Sequence, residues 1–286
     1  MIKLFTDTTA NLTKELVEKY NIGLVSLSYT LDGVESACGT GPDFDGKAFY
    51  GAMRNGAEAK TSMVSVGEFV DAFEPYVKNG DSIIFFGISS GISGTINSAE
   101  IAAGELRDRY PSAKIAVIDT IAAGLGEGFQ VLGAAELIEK GEPFLKIVKI
   151  CELRRKNMCQ FFTVDDLKYL RKGGRISAAA AAVGTVLNIK PILIGSDDGH
   201  IVSCGKVRGS MKSLIAIADK YSELVLDKTA RVGITHADNP AAAEALERLV
   251  RERGFDGELI VADFEPVCGS HVGPGSVALF FMGEHK

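Results

Sequence analysis

Two kinds of apolar pattern take turns along the first half of the chain. Short continuous runs, "IKLFTD", "GLVSLSYT", "SIIFFGIS" and "KIAVIDT", alternate with segments whose apolar residues recur every three or four positions: "LTKELVEKY", "VGEFVDAFEPYVKNG" and "INSAEIAAGELRDRY". Continuous apolar strands interleaved with amphipathic helices predict a mainly parallel sheet covered by helices on both faces. After about residue 158 the pattern changes. The strand-like runs "QFFTV", "ARVGITHAD", "GELIVADFEP" and "SVALFFMG" have helices such as "PAAAEALERLVRERG" between them, and "KPILIGSDDGHIVSCGKV" reads as a hairpin with a DDG turn. The expectation is an α/β protein of two domains. Residues 1–158 form a Rossmann-like unit with a mainly parallel sheet, and 159–286 an α+β unit with a mixed or mostly antiparallel sheet.

Polar residues that could carry chemistry gather at the ends of these runs. The turn "GISSGISGTINSA" at 87–99 follows a strand and opens a helix, where unpaired backbone N–H groups attract an anion. Ser90, Ser93 and Thr95 add hydroxyls, and Gly91 and Gly94 would admit a ligand close to the backbone. No Gly-Lys-Ser/Thr ending marks it as a nucleotide phosphate loop. "GISSG" also matches the Gly-x-Ser-x-Gly elbow of serine hydrolases, with Ser89 as nucleophile and Asp238 or Asp263 followed by His271 as acid and base. Helix capping alone accounts for the same serines. Thr61 and Ser62 precede another helix, where capping is again an alternative. His271 falls in the glycine- and proline-rich stretch "CGSHVGPG", read as a loop ahead of an apolar strand. Arg171, Lys172 and Arg175 form a cationic corner suited to phosphate or to a solvated helix end. In "SAAAAAVGTVL", 177–187, small side chains serve either close helix packing or space for a ligand tail.

Composition narrows the ligand. A net charge of −6 without a basic block argues against nucleic acid or an anionic membrane as the main partner, and the 46% hydrophobic content supplies a full core. Five scattered cysteines with no CxxC pair point to buried thiols rather than to a metal site or disulfides. With no run long enough to span a bilayer and no signal-peptide pattern at the start, the expected location is the cytoplasm, with only transient membrane contact.

Taken together, "FTDTTANLTKEL" (5–16), "KTSMVS" (60–65), "GISSGISGTINSA" (87–99), "FTVDDLKYLRKGGRIS" (162–177), "LNIKPIL" (187–193), "GKVRG" (205–209), "ITHADNP" (234–240) and "GSHVGPG" (269–275) resemble the DegV family from end to end and in the family's order. The resemblance implies two α/β domains with a ligand tunnel between them. It implies no catalytic activity and no cofactor, but a bound long-chain fatty acid such as palmitate or oleate, presented to a separate kinase that makes the acyl phosphate. Carried residue by residue, Thr61, Ser62, Ser93, the Gly94 amide and His271 would hold the carboxylate, while Arg175 would meet phosphate or the partner. Val64 stands where members commonly carry proline. A serine hydrolase acting on acyl esters, with Ser89 or Ser93 as nucleophile and His271 as base, is the alternative.

Overall fold

The computed structural model describes residues 1–39, 44–177 and 188–284. In the first half the chain runs β1 (Ile2–Asp7), α1 (Lys14–Lys19), β2 (Gly23–Val25), β3 (Ser28–Leu31), β4 (Val34–Ala37), α2 (Gly46–Arg54), β5 (Ala59–Ser62), α3 (Val66–Lys78), β6 (Ser82–Gly87), α4 (Thr95–Arg109), β7 (Ile115–Asp119), α5 (Leu125–Glu139) and α6 (Phe144–Arg154). It continues through β8 (Met158–Thr163), α7 (Lys168–Lys172), β9 (Ile189–Gly195), β10 (Ile201–Arg208), α8 (Ser210–Leu224), β11 (Val232–His236), α9 (Pro240–Glu252), β12 (Leu259–Asp263), α10 (Pro266–Val272) and β13 (Val277–Met282). Positions 178–187, which hold nearly all of the alanine-rich run, lie outside the described residues.

The first sheet, ordered β2-β1-β6-β7, is parallel throughout, as the continuous apolar strands predict. Its two faces enter different cores. Ile83 and Phe85 of β6 join α3 and α4, where the Phe85 ring meets Phe69 edge-on at 4.9 Å, whereas Ile84 and Phe86 join the core around α5. That two-sided burial is why these strands carry no polar alternation. A capping box between Ser65 and Glu68 fixes the start of α3.

The second sheet, ordered β10-β9-β8-β13-β11-β12, is mixed. Four of its pairings are antiparallel; β11 and β12 run parallel, with α9 as their crossover. Alternation along β13 again divides the work. Leu279 and Phe281 face α8 and α9, while Ala278 and Phe280 turn toward the core shared with the first sheet. The cavity described below opens on that second face.

One run divides where a single strand was expected. "GLVSLSYT" supplies β2 to the parallel sheet and β3 to a separate antiparallel sheet, β4-β3-β5. The break falls at Ser26 and Leu27. There the Ser26 hydroxyl donates to the Cys38 carbonyl at 2.6 Å, and the Leu27 amide donates to Thr8 Oγ1 at 3.2 Å, drawing the chain out of the first ladder. Among the described residues no helix is long and apolar enough to cross a membrane.

Candidate functional site

Parallel strands β6 and β7 end in loops that face the inner side of the second sheet, the position at which open α/β sheets commonly take ligands. Between them lies a cavity of about 270 Å³. Thr61, Ser62, Ser93, Gly94, Arg175 and His271 all line it, together with a wall that includes Ile88, Ile92, Phe162, Val267, Ala278 and Phe280. These polar residues come from four separate stretches of chain, and the fold brings them to one space.

Pairing of β5 with β3, with Tyr29 opposite Thr61, holds the threonine-serine pair in place. Val64 is buried in the core beneath α3, and Ser65 caps that helix, so strand pairing on one side and a capped helix on the other fix a segment that lacks proline. Ser93 precedes α4. Its Oγ lies 3.0 Å from Thr95 Oγ1 and accepts from the Thr95 amide at 3.3 Å, while Gly94 at the N-cap offers no side chain. A Cβ at Gly94 would lie 2.6 Å from Met63 Sδ, so glycine there lets the β5–α3 connection close over the start of the helix.

His271 is not in a loop, as the glycines and proline around it suggested, but in the last turn of α10. Glu265 builds that helix: its carboxylate accepts from the amides of Val267 at 2.5 Å and Cys268 at 2.7 Å, and Pro266 occupies the first turn. The chain leaves at Gly273 with φ 77°, a conformation that suits glycine. His271 Nε2 sits 2.9 Å from Thr61 Oγ1. Burial, reinforced by the nearby Arg175 charge, lowers its pKa to about 4, so the ring is neutral at pH 7. With the proton on Nε2 the ring donates to Thr61 and frees the threonine hydroxyl to donate to a ligand. In the other tautomer Thr61 donates to Nε2 and Nδ1–H becomes the available donor.

Arg175 parts from its neighbours. Lys172 reaches out to Glu58 at 2.6 Å, whereas Arg175 turns into the cavity wall, its Nε donating to the Ile92 carbonyl at 2.9 Å and Nη1 to the Gly173 carbonyl at 2.5 Å. Among the described residues no carboxylate pairs with it, which leaves a positive charge beside His271 and Ser93.

The hydrolase elbow built on Ser89 does not assemble. Ser89 is 1% exposed, and its hydroxyl donates to the Gly199 carbonyl at 2.9 Å. Asp263 pairs with His236 at 2.9 Å and Asp238 with Arg54, so neither acid orients His271. Two other members of the serine turn also serve the scaffold. Ser90 donates to Asp119 at 2.5 Å, and a Cβ at Gly91 would lie 2.5 Å from the Gly199 carbonyl carbon, so Gly91 admits the β9–β10 turn rather than a ligand.

Buried acids behind the cavity were not legible as such. Asp7 accepts from the Thr9 amide at 2.9 Å, the Thr9 hydroxyl at 2.5 Å and the Ile88 amide at 3.0 Å, the last of which anchors the loop that enters the cavity. Glu127 Oε1 lies 2.9 Å from Thr6 Oγ1, and Oε2 lies 2.9 Å from that same Thr9 hydroxyl. A hydroxyl has one hydrogen, so Thr9 cannot donate to both acids. Burial, with Asp7 nearby, pushes Glu127 well above the usual carboxylate range; as a neutral acid it donates to Thr9, which donates to Asp7. The "FTDTTANL" motif was the available signal, but its partner 120 positions away from Asp7 was not visible in it.

The model of the DegV family, described as a family of uncharacterised proteins, matches residues 1–284, and the chain belongs to that family. A DegV domain-containing protein of Clostridium perfringens is 37% identical over 99% of this chain and 98% of its own. Among solved structures, a DegV family protein from Thermus thermophilus described by its fatty acid binding superposes with a TM-score of 0.88 at 30% identity, covering 99% of both chains. A fatty-acid-binding DegV family protein from Streptococcus agalactiae gives a TM-score of 0.88 at 28% identity, covering 100% of this chain and 99% of that one.

Proposed function

We propose that the protein binds a long-chain fatty acid in this cavity, with the carboxylate at Thr61, Ser62, Ser93, Gly94 and His271, and that it presents that carboxylate to a separate kinase for conversion to the acyl phosphate. The observation that carries the reading is the convergence of these donors on one stretch of an otherwise mainly apolar cavity. The fatty-acid-binding character of the Thermus and Streptococcus relatives supports it. A tail of about 14 methylenes contributes roughly 11 kcal/mol on burial before ordering and association costs, enough for a slowly released ligand. The carboxylate is costly to desolvate, and hydroxyl and amide donors offset that cost. Arg175 adds a cation at the same end, where phosphate charge would develop on the activated acid. The protein acts as a carrier in the cytoplasm and needs no cofactor of its own.

Mass spectrometry of an organic extract of the purified protein tests the first half of this reading. A fatty acid of about 14 to 18 carbons is expected; an extract without lipid, together with no binding of added palmitate or oleate, overturns it. A fluorophosphonate probe should leave every serine unlabelled, since stoichiometric labelling of one would restore the hydrolase.

A further inference from the structure

Deeper along β8 the lining of the cavity turns polar at Gln160. On β8, Phe162 and Gln160 share the face that lines the cavity, and on β13 their register partners Ala278 and Phe280 do the same. Near the start of β13 lie α10 and His271, and beyond the end of β8 lie Leu170 and Arg175, so the head-group donors sit at the Phe162–Ala278 end. Two residues along the strand, roughly 7 Å deeper, Gln160 is the last side chain of β8 to touch the space.

Its amide is clamped across that end. Nε2 donates to the Ile121 carbonyl at 2.9 Å, and Oε1 accepts from the Ala123 amide at 3.3 Å. Ile121 has φ 48°, an uncommon conformation for a β-branched residue, and its peptide is held there by Asp119 at the amide, 2.9 Å away, and by Gln160 at the carbonyl. Two glycines make room for the clamp. A Cβ at Gly195 would lie 2.6 Å from Gln160 Nε2, and one at Gly126 would lie 3.3 Å from Oε1. The amide is therefore boxed in on both sides and cannot swing aside for a longer chain.

We propose that Gln160 is the end stop of the cavity and sets the longest acyl chain that the protein accepts. This rests on the fatty-acid reading above. A methylene that reaches the amide gains no apolar burial and would have to displace a hydrogen-bonded group, so affinity should rise about fourfold per added carbon up to the stop and then fall.

The test is a series of saturated fatty acids from about 12 to 20 carbons, measured against the unaltered protein, Gln160→Asn and Gln160→Ala, each checked for native circular dichroism. The optimum is expected to move about one carbon longer in Gln160→Asn and about two or more in Gln160→Ala as side-chain volume is removed. If losing the bonds to the Ile121 carbonyl and Ala123 amide prevents Gln160→Ala from folding, Gln160→Asn decides alone. An unchanged optimum in a folded variant that still binds palmitate overturns the end stop and leaves the fatty-acid reading standing. Absence of binding across the whole series by the unaltered protein overturns both.

Discussion

Thr61 and His271 lie 210 positions apart, and the fold sets Thr61 Oγ1 2.9 Å from His271 Nε2. The threonine arrives on an edge of the small antiparallel sheet, the histidine at the end of a helix started by Glu265. Their contact spans the seam at which a ligand head group would sit.

Because burial and the Arg175 charge hold His271 at a pKa of about 4, its ring in the ligand-free protein should show no protonation step near the ordinary histidine value. Proton NMR of the imidazole resonances across acidic pH checks this, with His271→Gln for assignment. Saturating fatty acid should raise the midpoint, since a neighbouring carboxylate favours the charged ring. A ligand-free midpoint near 6.5 would contradict the burial described here.

If Ser93 and His271 serve one carboxylate, each alanine substitution should weaken palmitate binding by about five- to a hundredfold, the cost of a donor lost beside a poorly solvated charge. The double variant should fall short of the sum, with a coupling of at least ~0.5 kcal/mol. Thr61→Val should weaken binding in the same range, because it removes the hydroxyl and leaves the ring nitrogen without its partner. Additive losses would separate the residues into independent roles.

Arg175 holds the Ile92 carbonyl one residue before Ser93 and keeps its charge at the same wall. Arg175→Ala should lower fatty-acid affinity about tenfold, while Arg175→Lys, which keeps the cation but not the fork of donors, should recover part of it. Displacement of a fluorescent fatty acid measures both. Unchanged affinity in Arg175→Ala with slowed phosphorylation by a cognate kinase would confine the residue to the phosphate step.

Glu127, raised by burial and by Asp7, holds its proton to higher pH in the folded protein than in the unfolded chain. Its contribution to stability is therefore complete below the ordinary carboxylate pKa and is lost as pH rises toward the raised value. Glu127→Gln keeps an acceptor for Thr6 and a donor for Thr9 without an ionisable proton. Its melting temperature should match the parent near about pH 4.5 and exceed it increasingly toward about pH 8. A difference that stays constant with pH would mean that Glu127 is charged in the folded state.

The local pattern determined helices α1, α3, α4 and α9, the parallel sheet and the β9–β10 hairpin, because continuous burial and helical periodicity leave their mark within a few residues. "SIIFFGIS" had to be a strand covered on both faces, and "VGEFVDAFEPYVKNG" a helix with one apolar side. The motifs also named Thr61, Ser93 and His271 as residues of interest, yet each had a local explanation in capping or in a loop. Tertiary contacts decided among these readings. Placement of β3 in its own sheet depended on Ser26 and Leu27 finding Cys38 and Thr8. Assigning Gly91 to a close approach, Ser89 to a scaffold bond and Glu127 to a shared proton depended on partners more than 100 positions distant. Gln160 gave no signal at all within "CQFFTV", for a polar residue in a strand usually faces water. Only the crossing of β8 with the loop after β7 turned its amide inward, where the Ile121 carbonyl and Ala123 amide satisfy it.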